Sequence, residues 1–73
     1  MEKSPMLVSV LETPFVSDYT ELMNEFNRLM SEESTAMAKN GYKPVSVESR
    51  LLKASTGGTC AGIWMIQMYF ELV

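Results

Sequence analysis

The sequence predicts an α+β fold with element order β-α-β-β, in which one amphipathic helix covers one face of a three-stranded sheet. Three observations predict it: a strand-like segment near the N-terminus, one long helical period after it, and two strand-like segments joined by a glycine-rich turn. Typical domains have roughly 100–150 residues. We therefore expect the 73 residues to form a single domain, 1–73.

The first strand is predicted at Met6–Leu11. Its β-branched residues share one parity, and no helical stripe runs through it. Pro14 ends the strand because proline lacks the N–H that a sheet ladder needs.

The helix is predicted from Asp18 to Asn40. Apolar residues recur there at steps of three, four or seven positions: Tyr19, Leu22, Met23, Phe26, Leu29, Met30 and Met37. Asp18 or Ser17 caps the N-terminus, and Gly41 stops the helix because glycine tolerates the left-handed conformation. The polar run Ser31–Thr35 leaves open whether the helix is continuous.

The second and third strands form a predicted hairpin. Residues of Val45–Leu52 alternate as in a half-solvated strand, and Ser55–Thr59 supplies the turn. Cys60–Val73 is the predicted third strand, and it is largely apolar on both parities. Because only a strand in the middle of a sheet gains from burying both faces, we expect sheet order 1-3-2 with strand three central.

One helix covers only one face of such a sheet, so the other face needs a partner. The sequence leaves open which parity of strand three is uncovered. We therefore expect a homodimer or larger oligomer with one of two sets of residues in its interface: Trp64, Ile66 and Phe70, or else Ile63, Met65 and Tyr69.

Composition excludes several chemistries. The chain has no histidine, which removes His-based catalysis and the zinc sites that combine Cys with His. Its single cysteine, Cys60, forms no intrachain disulfide, which favours a reducing, cytoplasmic location. The net charge of −3 gives no global attraction to nucleic acids or anionic membranes. We expect no cofactor, no metal and no catalytic residues.

Membrane insertion is also not expected. The longest run without charged or strongly polar side chains, Cys60–Ile66, is far shorter than the roughly 20 residues that span a bilayer. The apolar segment at the N-terminus is followed too quickly by Glu12 and Pro14 to be a signal peptide.

Three segments carry a resemblance to a known group of proteins. They are a helix with Glu21–Asn27 (ELMNEFN), a step Gly41–Val47 (GYKPVSV) into a strand, and the closing strand Ile63–Tyr69 (IWMIQMY). In this pattern the chain resembles short bacterial and phage domains of unknown function, although it carries extra residues, Ser31–Met37, before the glycine. The resemblance implies a β-α-β-β unit without established catalytic residues.

One candidate ligand site lies around the hairpin turn. Hydroxyls and flexible backbone amides of the turn, with two basic side chains just upstream, are suited to a phosphate or another small anion. The residues are Arg50, Lys53, Ser55, Thr56, Gly57, Gly58 and Thr59. A plain hairpin accounts for the same residues, because a P-loop leads into a helix and this turn leads into a strand.

These features predict a small non-enzymatic, oligomeric binding module that sequesters a small anionic, nucleotide-like ligand or binds a host protein. A phage-encoded protein that sequesters a nucleotide signal is one form of this hypothesis. The alternatives are a heteromeric adaptor and, with less support, an enzyme that uses carboxylates at an oligomer seam. Nucleic-acid binding has the least support, because six basic residues are scattered through an acidic chain.

Overall fold

The three strands and the helix form in the predicted order. The computed structural model describes residues 3–54 and 61–73. The elements are β1 (Met6–Glu12), α1 (Tyr19–Ala38), β2 (Tyr42–Ala54) and β3 (Gly62–Leu72). β3 lies between β1 and β2 and is antiparallel to both. The predicted α+β fold with sheet order 1-3-2 and a central third strand is therefore confirmed.

Helix α1 begins at the predicted cap and runs without a break. The Asp18 side chain accepts a hydrogen bond of 2.9 Å from the Glu21 N–H, so Asp18 and not Ser17 is the N-cap. The helix is continuous through the polar run, where the Glu33 carboxylate accepts a 2.5 Å hydrogen bond from the Ser9 hydroxyl on β1. Gly41 has φ +88°, the left-handed conformation that ends a helix. The polar run is thus anchored to the sheet.

Strand β2 is longer than its alternation predicts. It starts at Tyr42 and includes Pro44, which the sequence analysis placed before the strand. An edge strand tolerates proline, since one row of its backbone groups has no partner strand. The register against β3 shifts at two bulges, between Pro44 and Ser46 and between Leu51 and Lys53. Because each bulge shifts the alternation by one residue, a simple period-two pattern does not identify the ends of this strand.

The core lies between α1 and one face of β3. Ile66, Met68 and Phe70 point to this side and are buried, with Ile66 and Phe70 at 0% exposure. Side chains packed against this cluster come mainly from the helix: Leu11, Phe26, Leu29, Met30, Met37 and Leu72. The Trp64 ring meets the Phe26 ring edge to face, with centroids 6.0 Å apart.

The predicted interface role of Ile66 and Phe70 is therefore wrong. Both are completely buried within one chain, so they have no surface left for a second folded copy. Trp64 lies on the same helix-covered side of β3 and is half-buried. Both parities of strand three are largely apolar, and the parity that also carries Gln67 and Glu71 is the one that faces away from the helix.

Candidate interaction surface on the open sheet face

The sheet face that points away from α1 is called the open face here. Side chains alternate along a strand, and residues directly opposite each other in an antiparallel pair share a face. Since Ile66, Met68 and Phe70 lie under the helix, the residues between them on β3 belong to the open face. The strand registers then assign the open face of β1 and β2.

The β1 side of the open face is apolar. Met6, Val8 and Val10 point outward from β1 and are 52%, 50% and 57% exposed. Opposite them on β3 lie Glu71, Tyr69 and Gln67, and Tyr69 is half-buried. A contiguous apolar stripe on a surface is typical of an interaction site.

The β2 side of the open face is polar and charged. Its outward residues are all exposed and are Lys43, Ser46, Glu48, Arg50 and Lys53. Within the described part of the chain, the side chains of Arg50 and Lys53 form no ion pair and no hydrogen bond. The open face therefore combines an apolar half with a charged half, and the boundary runs along β3.

Two contacts beyond the end of β1 hold the apolar half in register. The Thr13 N–H donates to the Trp64 carbonyl at 2.9 Å, and the Thr13 hydroxyl accepts from the Trp64 N–H at 3.0 Å. Further along the chain, Val16 and Gly62 exchange two backbone hydrogen bonds of 2.9 Å. The edge strand thus stays paired with β3 even though Pro14 interrupts it.

Gly62 is required at this pairing. Its φ of +146° is a conformation that side-chain-bearing residues rarely adopt. A Cβ added there would lie 2.1 Å from the Lys53 carbonyl oxygen, far closer than atoms can approach. Sequence reasoning did not single out Gly62 because the neighbouring Gly57 and Gly58 account for the turn.

Some of the predicted site residues lie on the open face, and others lie outside the described residues. Ile63, Met65 and Tyr69 lie on the open face, as one of the two open alternatives requires. Arg50 and Lys53 lie on the same face, opposite Met65 and Ile63. The turn residues of the predicted anion site lie outside the described residues: Ser55, Thr56, Gly57, Gly58 and Thr59. Cys60 lies outside them as well.

Sequence reasoning missed the contribution of β1. Met6, Val8 and Val10 supply the most exposed apolar side chains of the open face, yet the sequence analysis placed only strand-three residues there. These three residues alternate along β1 with Leu7, Ser9 and Leu11, which lie on the helix side of the sheet. That alternation is the signal that places Met6, Val8 and Val10 on the open face. Reading that alternation requires the register against β3, which the sequence alone does not supply.

Other groups do not form a second site. The described residues enclose no pocket and contain no group of three or more side chains suited to a metal ion. On the solvent face of α1, Arg28 pairs with Glu25 at 3.1 Å and Glu32 at 3.3 Å. The hydrogen bonds that Arg28 donates to the Glu25 carboxylate raise the pKa of the exposed Arg28 guanidinium, which stays charged. No helix in the described part of the chain is long and apolar enough to cross a membrane.

Comparisons with known proteins add no further assignment. No protein-family model, curated protein or solved structure matches the chain. The argument for function therefore depends on the open face and on the charges beside it.

Proposed function

We propose that the protein is a small, non-enzymatic binding module that works as a homo-oligomer assembled through its open face. The observation that carries this proposal is the imbalance between its two sheet faces. On the helix side of β3, Ile66, Met68 and Phe70 are buried. On the open face, Met6, Val8 and Val10 are each at least half exposed.

The dimensions of the chain support the proposal. Its accessible surface is 4921 Å², whereas a folded monomer of 8.2 kDa exposes about 4,500 Å². Its radius of gyration is 13.9 Å, whereas about 11 Å is expected for a compact chain of this length. The chain is an elongated body of 48 × 17 × 16 Å. Such a body buries little of its own apolar surface and gains from association.

The energy scale points the same way. Burying a large apolar side chain contributes about 1.5–3 kcal/mol. Met6, Val8 and Val10 are each at least half exposed, so in the single chain each gains only about half of that stabilisation. For a small domain whose net stability is about 5–15 kcal/mol, this is a substantial fraction.

Two matched variants test the proposal. Val8→Lys places a charge on the open face, and Val47→Lys places one on the helix side of β2, at a valine of similar exposure, 50% against 44%. Size-exclusion chromatography with light scattering should show an oligomer for the wild type and for Val47→Lys, and a monomer for Val8→Lys. A wild-type chain that stays monomeric at tens of micromolar would overturn self-assembly and favour the heteromeric adaptor.

We also propose a ligand for this module: a small anionic, nucleotide-like molecule bound at Arg50 and Lys53. Both cations are exposed on one face, three residues apart, and have no anionic partner in the described residues. Exposed cations without partners attract phosphate groups and bind them through charge-assisted hydrogen bonds. The resemblance to domains without established catalytic residues supports a non-enzymatic role.

Native mass spectrometry of protein purified from cells tests the ligand, with a thermal-shift panel of nucleotides as the second readout. We expect a bound anionic mass that is lost in Arg50→Ala and retained in Lys39→Ala, where the lysine caps the helix C-terminus away from this face. A ligand-free oligomer that no nucleotide stabilises would contradict the ligand proposal and leave self-assembly standing.

A further inference from the structure

The open face has a pattern that determines how a second copy of this chain fits on it, and this inference depends on the proposed self-assembly. Register places the outward residues of β1, β3 and β2 in rows across the sheet. From one end of the sheet, these rows are Met6–Glu71–Lys43, Val8–Tyr69–Ser46, Val10–Gln67–Glu48 and Glu12–Met65–Arg50.

Two sheets that pack face to face keep their strands nearly aligned, so a two-fold axis in the interface runs either along the strands or across them. An axis along the strands places β1 of one copy over β2 of the other. Val10 would then cover Glu48 of the second copy, which removes a carboxylate from water without a partner. An axis across the strands places apolar β1 on β1 and charged β2 on β2.

The charges on β2 select the row through which a transverse axis passes. An axis through the Val10 row brings Glu48 against Glu48 of the second copy and Val8 against Glu12. An axis through the Val8 row brings Lys43 against Glu48 of the second copy, twice by symmetry. Like charges in contact oppose association, and opposite charges support it.

We infer that the partner of the open face is a second copy related by a two-fold axis across the strands, through the row Val8–Tyr69–Ser46. Met6 then packs on Val10 of the second copy and Val8 on its own counterpart. The usual rotation of about 30° between aligned sheets moves the Lys43 and Glu48 positions by about 4 Å, which a lysine side chain spans. Arg50 and Lys53 lie toward the far end of the strands and remain open to an anion.

A charge exchange tests this arrangement. Lys43→Glu and Glu48→Lys each create two repulsive pairs in the homodimer, and each should raise the dissociation constant about tenfold. In a 1:1 mixture the two variants face each other with opposite charges, so native mass spectrometry should show recovery of a heterodimer. The matched control uses Glu12→Lys and Arg50→Glu, the pair that an axis along the strands would bring together. Neither variant alone should raise the dissociation constant of the dimer, so mixing them should change nothing.

The outcomes separate this inference from the proposed function. A wild-type dimer with no recovery in the first mixture overturns the arrangement but not self-assembly. Recovery in the Glu12 and Arg50 mixture would instead assign the axis along the strands. A wild-type monomer overturns both the arrangement and the proposed function.

Discussion

Both faces of β3 are largely apolar, although polar side chains occur only on the open one, and the environments of the two faces are opposite. Ile66 and Phe70 on one face are completely buried, whereas Met65 and Tyr69 on the other keep part of their surface in water. Adjacent residues of one strand thus differ only in whether α1 lies over them. The comparison teaches that burial in this chain is decided by the number of covering elements and not by the hydrophobicity of the strand.

The largest expected effect comes from truncating the two faces separately. Phe70→Ala removes a ring from the closed core and should lower the free energy of unfolding by about 3–5 kcal/mol at every protein concentration. Tyr69→Ala, one residue away, should lower stability much less and mainly at concentrations where the wild type is assembled. Urea unfolding followed by circular dichroism at two protein concentrations measures both.

If Phe70→Ala does not fold, Phe70→Leu supplies the same comparison at a smaller cost, typically below about 1.5 kcal/mol. Equal losses from the Phe70 and Tyr69 variants, independent of concentration, would show that the two faces are equally buried. That result would remove the basis for an open face.

The fold was predictable because its determinants are local. The helical period, the Asp18 cap and Gly41 each act within a few residues, so the sequence identified α1 and its ends closely. The central position of strand three followed from its two apolar parities alone. The bulges of β2 were not predictable, because they depend on pairing with β3.

The site was less predictable because it depends on long-range register. Which parity of strand three faces the helix follows from how α1 packs, and the apolar contribution of Val8 and Val10 follows from pairing with β3 across more than fifty residues. A shift of one residue would move every side chain to the other face. Within strand three itself, the one signal is that Gln67 and Glu71 share the parity that faces away from the helix.

A smaller effect on stability is expected at Gly62, where the backbone is held between Val16 and Lys53. Gly62→Ala forces a residue with a side chain into φ near +146° and against the Lys53 carbonyl, so the Val16 bridge and the end of the β2–β3 ladder must shift. Backbone strain of this kind costs about 1–3 kcal/mol.

Gly41→Ala is the matched control, because its φ of +88° is also unfavourable but the added Cβ would meet no atom closer than 3.7 Å. Hydrogen–deuterium exchange should show faster exchange of the Val16 and Gly62 amides in Gly62→Ala only. Since Gly62 lies at the opposite end of the sheet from the Val8 row, assembly should persist in this variant. Loss of the oligomer with Gly62→Ala but not with Val8→Lys would place the interface at the Gly62 end and overturn the comparison between the two faces.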